Sequence, residues 1–431
     1  MKKILIISEF FGPYQNIAAI KFTKIAKYLS RNSDNKVIVY ARQNGGVIDP
    51  FLERDVLEIE NNGGIIKYIF AGNEYINKKG NIFHRILKEI ESRISKMFLT
   101  PGGRMWRKYK KESRFFVKNA MKEFDKAENI PDVIISTYYD WGGHCFAFEL
   151  KKRFPDILWI ADFRDPIASN VKTGKYRKKF DEYSMSISKK ADYVTVVSKG
   201  MLNNIVFDDG VEPLIATNGF DYDDYCLDDI DDDPVINDNV LNMFYAGALY
   251  EERSFEPLLN CIYELANENK VEVSNISIVY AGADSKILFE QAKKYNVSSI
   301  IKDLGVIPRN RANALTVKTD IFMVLSWNNY GDEGVLSGKF VSNLMYQKKM
   351  IAIVTGNKSN SEIKERMGKL NCGFCYEDAN KEEDYPKLKE EILDIYNKKM
   401  RKQPIIQNYN LKELEKYDLK NISILYENMF S

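Results

Sequence analysis

Almost the whole chain alternates between short apolar runs and longer segments in which apolar residues recur at helical spacing. The first run, Ile4–Ile7, precedes a helical pattern over Ile17–Leu29, and a second run follows at Lys36–Tyr40. Runs without polar alternation are typical of strands buried on both faces, as in parallel sheets with helical crossovers. The sequence therefore predicts an α/β fold built from consecutive βα units.

The alternation starts again after an acidic segment. Nine aspartates lie between Asp221 and Asp238, with few apolar residues among them. Such a run is solvated and separates domains, and 431 residues suit two or three domains. We therefore predict an N-terminal Rossmann-like domain at 1–220, an acidic linker at 221–240, a C-terminal Rossmann-like domain at 241–405 and a C-terminal helix at 406–431.

Composition excludes several other classes of protein. Hydrophobic residues make up 45% and charged residues 29%, which is ordinary for globular domains and unlike disordered or collagen-like chains. Five cysteines are too few for a disulfide scaffold. No apolar run approaches the ~20 residues that span a bilayer. We therefore expect a cytoplasmic protein.

Two places in the predicted N-terminal domain suit ligand contact. The loop after the first strand contains Gly12 and leads into a helix whose first N–H groups suit a phosphate. An ordinary strand-to-helix turn explains this loop equally well. His144 begins the helix after a later strand, and Asp165 follows the strand Leu158–Ala161. Each side chain either makes an internal polar contact or faces a ligand at the carboxyl ends of the strands.

Two loops of the predicted C-terminal domain are stronger candidates. Gly247 would let a ligand approach the backbone, and Arg253 offers a permanent fork of donors to a diphosphate, with a solvated surface arginine as the alternative. A later polar, glycine-rich loop contains Glu333 and Ser337 and ends at Lys339. So many hydrogen-bonding groups favour recognition of a phosphorylated sugar over a purely structural loop.

The order and spacing of these segments resemble GT-B-fold glycosyltransferases, and are most similar to family 4 nucleotide-sugar transferases of bacterial surface-polysaccharide pathways. The resemblance implies two Rossmann-like doubly wound parallel sheets facing across a cleft, with the C-terminal helix crossing back to the first domain. It covers nearly the whole chain and rests on ILIISEFFGPYQNIAAIKFTKIAKYLS, PDVIIST with the following His144, WIADFRDP, ADYVTVVSKGM, ATNGFD, YAGALYEER and LSWNNYGDEGVLSGK.

The resemblance also implies roles for individual residues. Members of the family are typically retaining enzymes that need no metal, because basic side chains neutralise the leaving diphosphate of a UDP- or GDP-linked sugar. We accordingly expect no cofactor. The implied donor-binding residues are Gly12, Gly247, Arg253, Ile307, Ser337, Lys339 and Asn343, with the backbone at Val306–Ile307 meeting the nucleobase. The implied catalytic residues are His144, Asp165 and Glu333, with His144 near the donor sugar.

The sequence departs from the family at a pair of glutamates separated by seven residues. Aligned through Gly338 and Lys339, their positions hold Val335 and Asn343. Glu333 is the candidate to replace the first glutamate, and Asn343 could bind ribose hydroxyls without charge. The leading hypothesis is a retaining glycosyltransferase acting on a lipid-linked saccharide. The alternatives are a degenerate GT-B protein with a binding or scaffold role, and a nucleotide-sugar epimerase.

Charge is unevenly distributed, although 63 basic residues nearly balance 61 acidic ones. Thirteen basic and three acidic residues lie between Lys78 and Lys118, interleaved with aromatic and aliphatic side chains. Such a segment suits an anionic membrane surface at the inner face of the plasma membrane, while a helix pair with solvated lysines is the alternative. Without a recognised module, nucleic acid is not an expected partner.

Overall fold

The chain forms two compact units in a computed structural model. Unit 1 contains Met1–Thr217 and Ile422–Ser431, and unit 2 contains Asn218–Asn421. Residues 406–421, which the sequence groups with the C-terminal helix, therefore belong to unit 2. Linker residues 226–233 lie outside the described part of the chain. The structure describes residues 1–42, 46–69, 100–137, 141–167, 171, 173–225, 234–250, 252–333 and 336–431.

Unit 1 holds a sheet of seven described strands, all paired in parallel, in the order β3-β2-β1-β4-β5-β6-β7. The last five residues of β1 are buried, and Ile4 lies opposite Val37 in β2 and Val133 in β4. The strands are β1 (Lys2–Ser8), β2 (Asn35–Arg42), β3 (Ile65–Ile69), β4 (Val133–Thr137), β5 (Leu158–Phe163), β6 (Tyr193–Val196) and β7 (Leu214–Ile215).

The first three described helices of unit 1 begin at polar caps, and in two of them a proline follows the cap. The Asn16 side chain accepts a hydrogen bond from the Ala18 N–H at the start of α1, and Asp49 caps α2 directly before Pro50. These residues satisfy backbone donors that a helix start otherwise leaves unpaired. The helices are α1 (Ile17–Arg31), α2 (Pro50–Asn61), α3 (Pro101–Ala120), α4 (Trp141–Arg153), α5 (Lys175–Lys190) and α6 (Lys199–Asn204).

Unit 2 holds a second parallel sheet, of six described strands, in the order β10-β9-β8-β11-β12-β13. Its strands are β8 (Leu241–Ala246), β9 (Ile276–Ala281), β10 (Ile301–Asp303), β11 (Ile321–Trp327), β12 (Lys349–Thr355) and β13 (Gly373–Glu377). Its helices are α7 (Glu256–Asn267), α8 (Ser285–Lys294), α9 (Arg309–Lys318), α10 (Gly338–Asn343), α11 (Glu362–Leu370), α12 (Lys381–Met400) and α13 (Leu411–Leu414); α14 (Leu419–Asn428) begins in unit 2 and ends in unit 1.

Both faces of the second sheet are covered, which explains its continuous apolar strands. Every residue of β8 and β9 is buried. Leu258 of α7 and Leu388 of α12 pack on one face, while Phe340 of α10 and Met367 of α11 pack on the other. The predicted α/β class with two doubly wound parallel sheets is thus confirmed.

Candidate functional site

The strand order of unit 2 reverses between the neighbouring strands β8 and β11. At such a switch point the loops that leave adjacent strands diverge and open a crevice at the carboxyl ends. The loop after β8 covers residues 247–255, and the loop after β11 covers residues 328–337. Arg253 lies in the first loop, and Lys339 is the second residue of α10, which follows the second loop. The structure therefore brings both predicted residues to one edge of unit 2.

Arg253 is held at this edge by a carbonyl oxygen and two aromatic rings. Its Nη1 donates to the Ala248 oxygen at 3.1 Å, and its guanidinium carbon lies 4.5 Å from the Tyr250 ring centroid and 5.6 Å from that of Trp327. Burial raises the pKa of nearby Tyr245 to about 12, so that hydroxyl stays neutral. In the described part of the chain, no carboxylate pairs with Arg253.

Lys339 is the second cation at this edge. It follows the cap of α10, where the Ser337 Oγ accepts from the Phe340 N–H at 3.2 Å. Burial, reinforced by the charge of Arg309, holds the pKa of Lys339 below its usual value. Arg309 is paired with Asp224 at 2.7 Å, whereas Lys339 has no acidic partner among the residues that the structure describes. A bound anion would relieve this uncompensated charge.

Asn343 and Glu333 are both engaged within unit 2. Asn343 is buried; its Nδ2 donates to the Lys339 carbonyl oxygen at 2.8 Å, and its Oδ1 accepts from the Thr316 hydroxyl at 3.0 Å. It therefore ties α10 to α9, and a ribose contact would have to replace these bonds. Glu333 forms an ion pair with Lys358. Val335, the other departure from the glutamate pair, lies outside the described residues.

Gly247 and Ile307 also lie beyond the carboxyl ends of strands in unit 2. The Gly247 N–H donates to the Ala281 carbonyl oxygen at 2.9 Å, and a Cβ at Gly247 would come within 3.1 Å of the Tyr245 hydroxyl oxygen. Ile307 is partly buried against the core, whereas its neighbour Val306 is 79% exposed. Val306 is thus open to solvent, and the contact of the Val306–Ile307 backbone with a nucleobase stays a prediction.

Gly12 in unit 1 has both of its backbone polar groups engaged. Its N–H donates to the Thr23 hydroxyl at 2.9 Å, and its carbonyl oxygen accepts from Tyr68. A Cβ would lie 3.0 Å from the Leu52 carbonyl oxygen. Glycine is thus needed here for close packing. A phosphate contact through this N–H would require the bond to Thr23 to break.

His144 lies in the interior of unit 1. The imidazole is fully buried, with Nδ1 2.7 Å from the Ser136 Oγ and the ring centroid 4.8 Å from that of Phe163. Trp159 donates its indole N–H to the same Ser136 oxygen at 2.8 Å, which leaves the serine hydrogen for Nδ1. Burial lowers the pKa of His144 to about 4, so the ring is neutral at pH 7.

Asp162 is the other carboxylate of the segment WIADFRDP, three positions before the exposed Asp165, and the sequence interpretation did not include it among the candidate site residues. Asp162 is fully buried, and its Oδ1 accepts from the Lys21 ammonium at 2.8 Å, the Thr195 hydroxyl at 2.8 Å and the Tyr426 hydroxyl at 2.7 Å. Burial alone would raise the pKa of Asp162, but Lys21 and these hydroxyls hold it below its usual value. The network fastens α1, β5, β6 and α14 together.

The basic segment at 78–118 is described from residue 100 onward, and residues 78–99 lie outside the described chain. On α3 the glycines of the first turn pack against Tyr176 of α5, where a Cβ at Gly103 would come within 3.0 Å of the tyrosine hydroxyl. The exposed positions of α3 include Arg107, Lys110, Lys111, Arg114 and Lys118. Among the described helices, none is both long and apolar enough to cross a membrane.

Comparison with known proteins gives matches in structure alone. No family profile matches the sequence, and no curated protein matches it. Sucrose-phosphate synthase from Thermosynechococcus elongatus superposes with a TM-score of 0.64 at 12% identity, over 100% of this chain and 98% of that one. Anabaena HepE, solved with UDP and glucose, gives 0.60 at 12% identity over 100% and 99%.

A third similar structure is a UDP-GlcNAc 2-epimerase from Neisseria meningitidis bound to UDP-GlcNAc, with a TM-score of 0.51 at 13% identity over 99% of both chains. At these identities the similarity establishes the fold. The chain has the GT-B fold, as the sequence predicts.

Proposed function

We propose that the chain is a glycosyltransferase that takes its sugar from a nucleoside diphosphate donor held by unit 2. The observation that carries the proposal is the pair of cations, Arg253 and Lys339, that reach one sheet edge without an acidic partner among the described residues. Negative charge accumulates on a diphosphate as it leaves the sugar, and fixed cations stabilise that charge. HepE, which shares the fold, was solved with UDP.

The finer features of the proposal follow from the sequence resemblance. We propose retention of configuration, no requirement for a metal and a lipid-linked saccharide acceptor in surface-polysaccharide synthesis. The remaining proposed donor contacts are Gly12, Gly247, Ile307, Ser337 and Asn343. Among the proposed catalytic residues His144, Glu333 and Asp165, the exposed carboxylate of Asp165 is the most accessible to an acceptor.

A panel of UDP- and GDP-linked sugars tests the proposal by thermal shift and calorimetry. A ligand at about 100 times its Kd adds roughly 2.7 kcal/mol to the stability of the state that binds it. We expect one nucleotide class to raise the Tm. Lys389→Ala is a matched control, because Lys389 lies in unit 2 but pairs with Glu264 and Glu268, and it should leave the shift unchanged. If no nucleotide raises the Tm, the proposal is wrong.

Membrane docking through the basic segment is a separate part of the proposal. We place the protein in the cytoplasm and at the inner face of the plasma membrane, where each cation near an anionic surface contributes about 1 kcal/mol. In flotation with vesicles that contain phosphatidylglycerol, less protein should rise with the vesicles when Lys110, Lys111 and Arg114 are changed to glutamine. Equal flotation of both proteins would exclude α3 from the contact.

Two alternatives predict different products. The similarity to a UDP-GlcNAc 2-epimerase favours the epimerase hypothesis as the second candidate. An epimerase converts the nucleotide-sugar without an acceptor, whereas a transferase releases the nucleoside diphosphate and needs an acceptor. A degenerate scaffold protein binds nucleotide and does neither. Nuclear magnetic resonance of the reaction mixture, with and without lipid extract, separates the three.

A further inference from the structure

The Arg253 guanidinium lies against two aromatic rings, one from a loop and one from the end of a strand. Tyr250 belongs to the loop after β8, and Trp327 is the last residue of β11. The two rings meet edge to face, with centroids 6.5 Å apart, and the guanidinium carbon is within 6 Å of both. Guanidinium groups are attracted to ring faces, and stacking fixes the plane of the group as well as its position.

The rings hold Arg253 without neutralising it. A carboxylate would fix the side chain equally well, but it would cancel the charge that a diphosphate needs. Arg253 instead contacts neutral groups: it donates a hydrogen bond to the Ala248 carbonyl oxygen and also meets the Tyr245 hydroxyl. A long side chain that is already ordered loses less conformational entropy when a ligand binds, so affinity rises.

Trp327 carries a feature that packing alone does not explain. Its indole Nε1 is buried and has no hydrogen-bond partner among the described residues. Burying an unsatisfied donor is unfavourable, and phenylalanine would fill the position without this penalty. Tyr250 is 45% exposed, so core packing does not account for it either. The contact of their ring faces with the Arg253 guanidinium is therefore what explains both side chains.

We propose that Tyr250 and Trp327 are positioning residues that orient the Arg253 guanidinium toward the diphosphate of the donor. The inference rests on the proposed function, because it assumes that Arg253 meets that diphosphate. The two rings act through Arg253 and contact no part of the nucleotide themselves.

Calorimetric Kd values for UDP, or for GDP if the panel selects it, test the proposal in a double-mutant cycle. We expect Trp327→Leu to weaken binding about fivefold, which corresponds to about 1 kcal/mol. Trp327→Phe, which keeps a ring and removes the unpaired N–H, should bind as wild type does. In the Arg253→Ala background, Trp327→Leu should cause no further loss, since the residue through which it acts is absent.

Tyr250 provides a second test. Because its side chain is exposed, a folding defect would not explain a loss of nucleotide binding in its variants. Tyr250→Leu should weaken binding, Tyr250→Phe should restore it, and circular dichroism should show all variants folded. Equal losses from Trp327→Leu with and without Arg253 would mean that Trp327 acts independently, and would overturn the inference while the proposed function stands. If wild-type protein binds no nucleotide, both fail together.

Discussion

Cations lie near the carboxyl ends of central strands in both units, but they are compensated differently. Lys21 in unit 1 is buried against Asp162, whose other acceptor positions are filled by hydroxyl groups. Arg253 and Lys339 in unit 2 have no acidic partner in the described chain. A saturated buried ion pair offers no charge to a ligand, whereas an uncompensated cation does. A cation that is paired with a buried acid therefore has a structural role, whereas a cation without an acidic partner is suited to bind a ligand.

Removing the acid in unit 1 should have the largest effect on stability. Asp162→Asn leaves the Lys21 ammonium buried without a counter-charge, which typically costs about 3–5 kcal/mol. Amide hydrogen exchange, read separately for the two units, should show the loss in unit 1. The control is Asp165→Asn, an exposed neighbour, which should change stability by less than about 0.5 kcal/mol. Equal effects of the two variants would contradict the structural role of the network.

A pH titration sharpens the comparison, because His144 is a buried group of unit 1. Its pKa is about 4 in the folded protein against 6.5 for the unperturbed group. Between these values the unfolded chain binds more protons, so stability falls as the pH drops from 6.5 to 4, by up to about 3 kcal/mol.

The variant His144→Asn isolates this contribution from the other groups that titrate in the same range. Its unit-1 amides should lose less protection than those of wild type between pH 6.5 and 4. The same loss in both proteins would mean that His144 titrates normally, and would place the imidazole in contact with solvent.

The smallest expected effect concerns unit 2 and nucleotide binding. Lys339→Met should weaken nucleotide binding about tenfold or more, since hydrogen bonds to charged groups contribute about 1.5–3 kcal/mol. It should not lower stability, because burial already disfavours the charged amine. Unchanged affinity in calorimetry would remove Lys339 from the site.

The pH dependence of binding supplies a control at the same position. Because its pKa is lowered, Lys339 loses its charge at a lower pH than an ordinary lysine does. Nucleotide affinity of wild type should therefore decline as the pH rises toward that pKa, while Lys339→Arg should keep its affinity over the same range.

Much of the fold could be predicted because buried parallel strands have a distinctive pattern. The run Lys36–Tyr40 falls within β2, and Leu158–Ala161 begins where β5 begins but falls two residues short of its end. The two-residue strand β7 carries too few residues to form a pattern. The single C-terminal helix predicted at 406–431 is instead divided into α13 and α14, with a short 3₁₀ helix at Glu415–Tyr417 between them.

The site was harder to predict because sequence shows which groups exist but not what neutralises them. His144 and Asp162 are 18 positions apart in sequence, and only the structure shows that both are buried. Tyr426 is still further away, so its bond to Asp162 leaves no local signal. Arg253 was found because a glycine and an arginine follow a strand end, but nothing local indicated that Trp327 lies beside it.

The division of unit 1 into two stretches of chain has a consequence for how the protein is made. Tyr426, which completes the contacts of Asp162, leaves the ribosome only after all of unit 2 has been synthesised. At about 5–20 residues per second the wait after Thr217 is roughly 10–40 s. During this time unit 2 is being synthesised, and unit 1 lacks a strong donor to its buried carboxylate. The unit whose strands are translated first is therefore finished last.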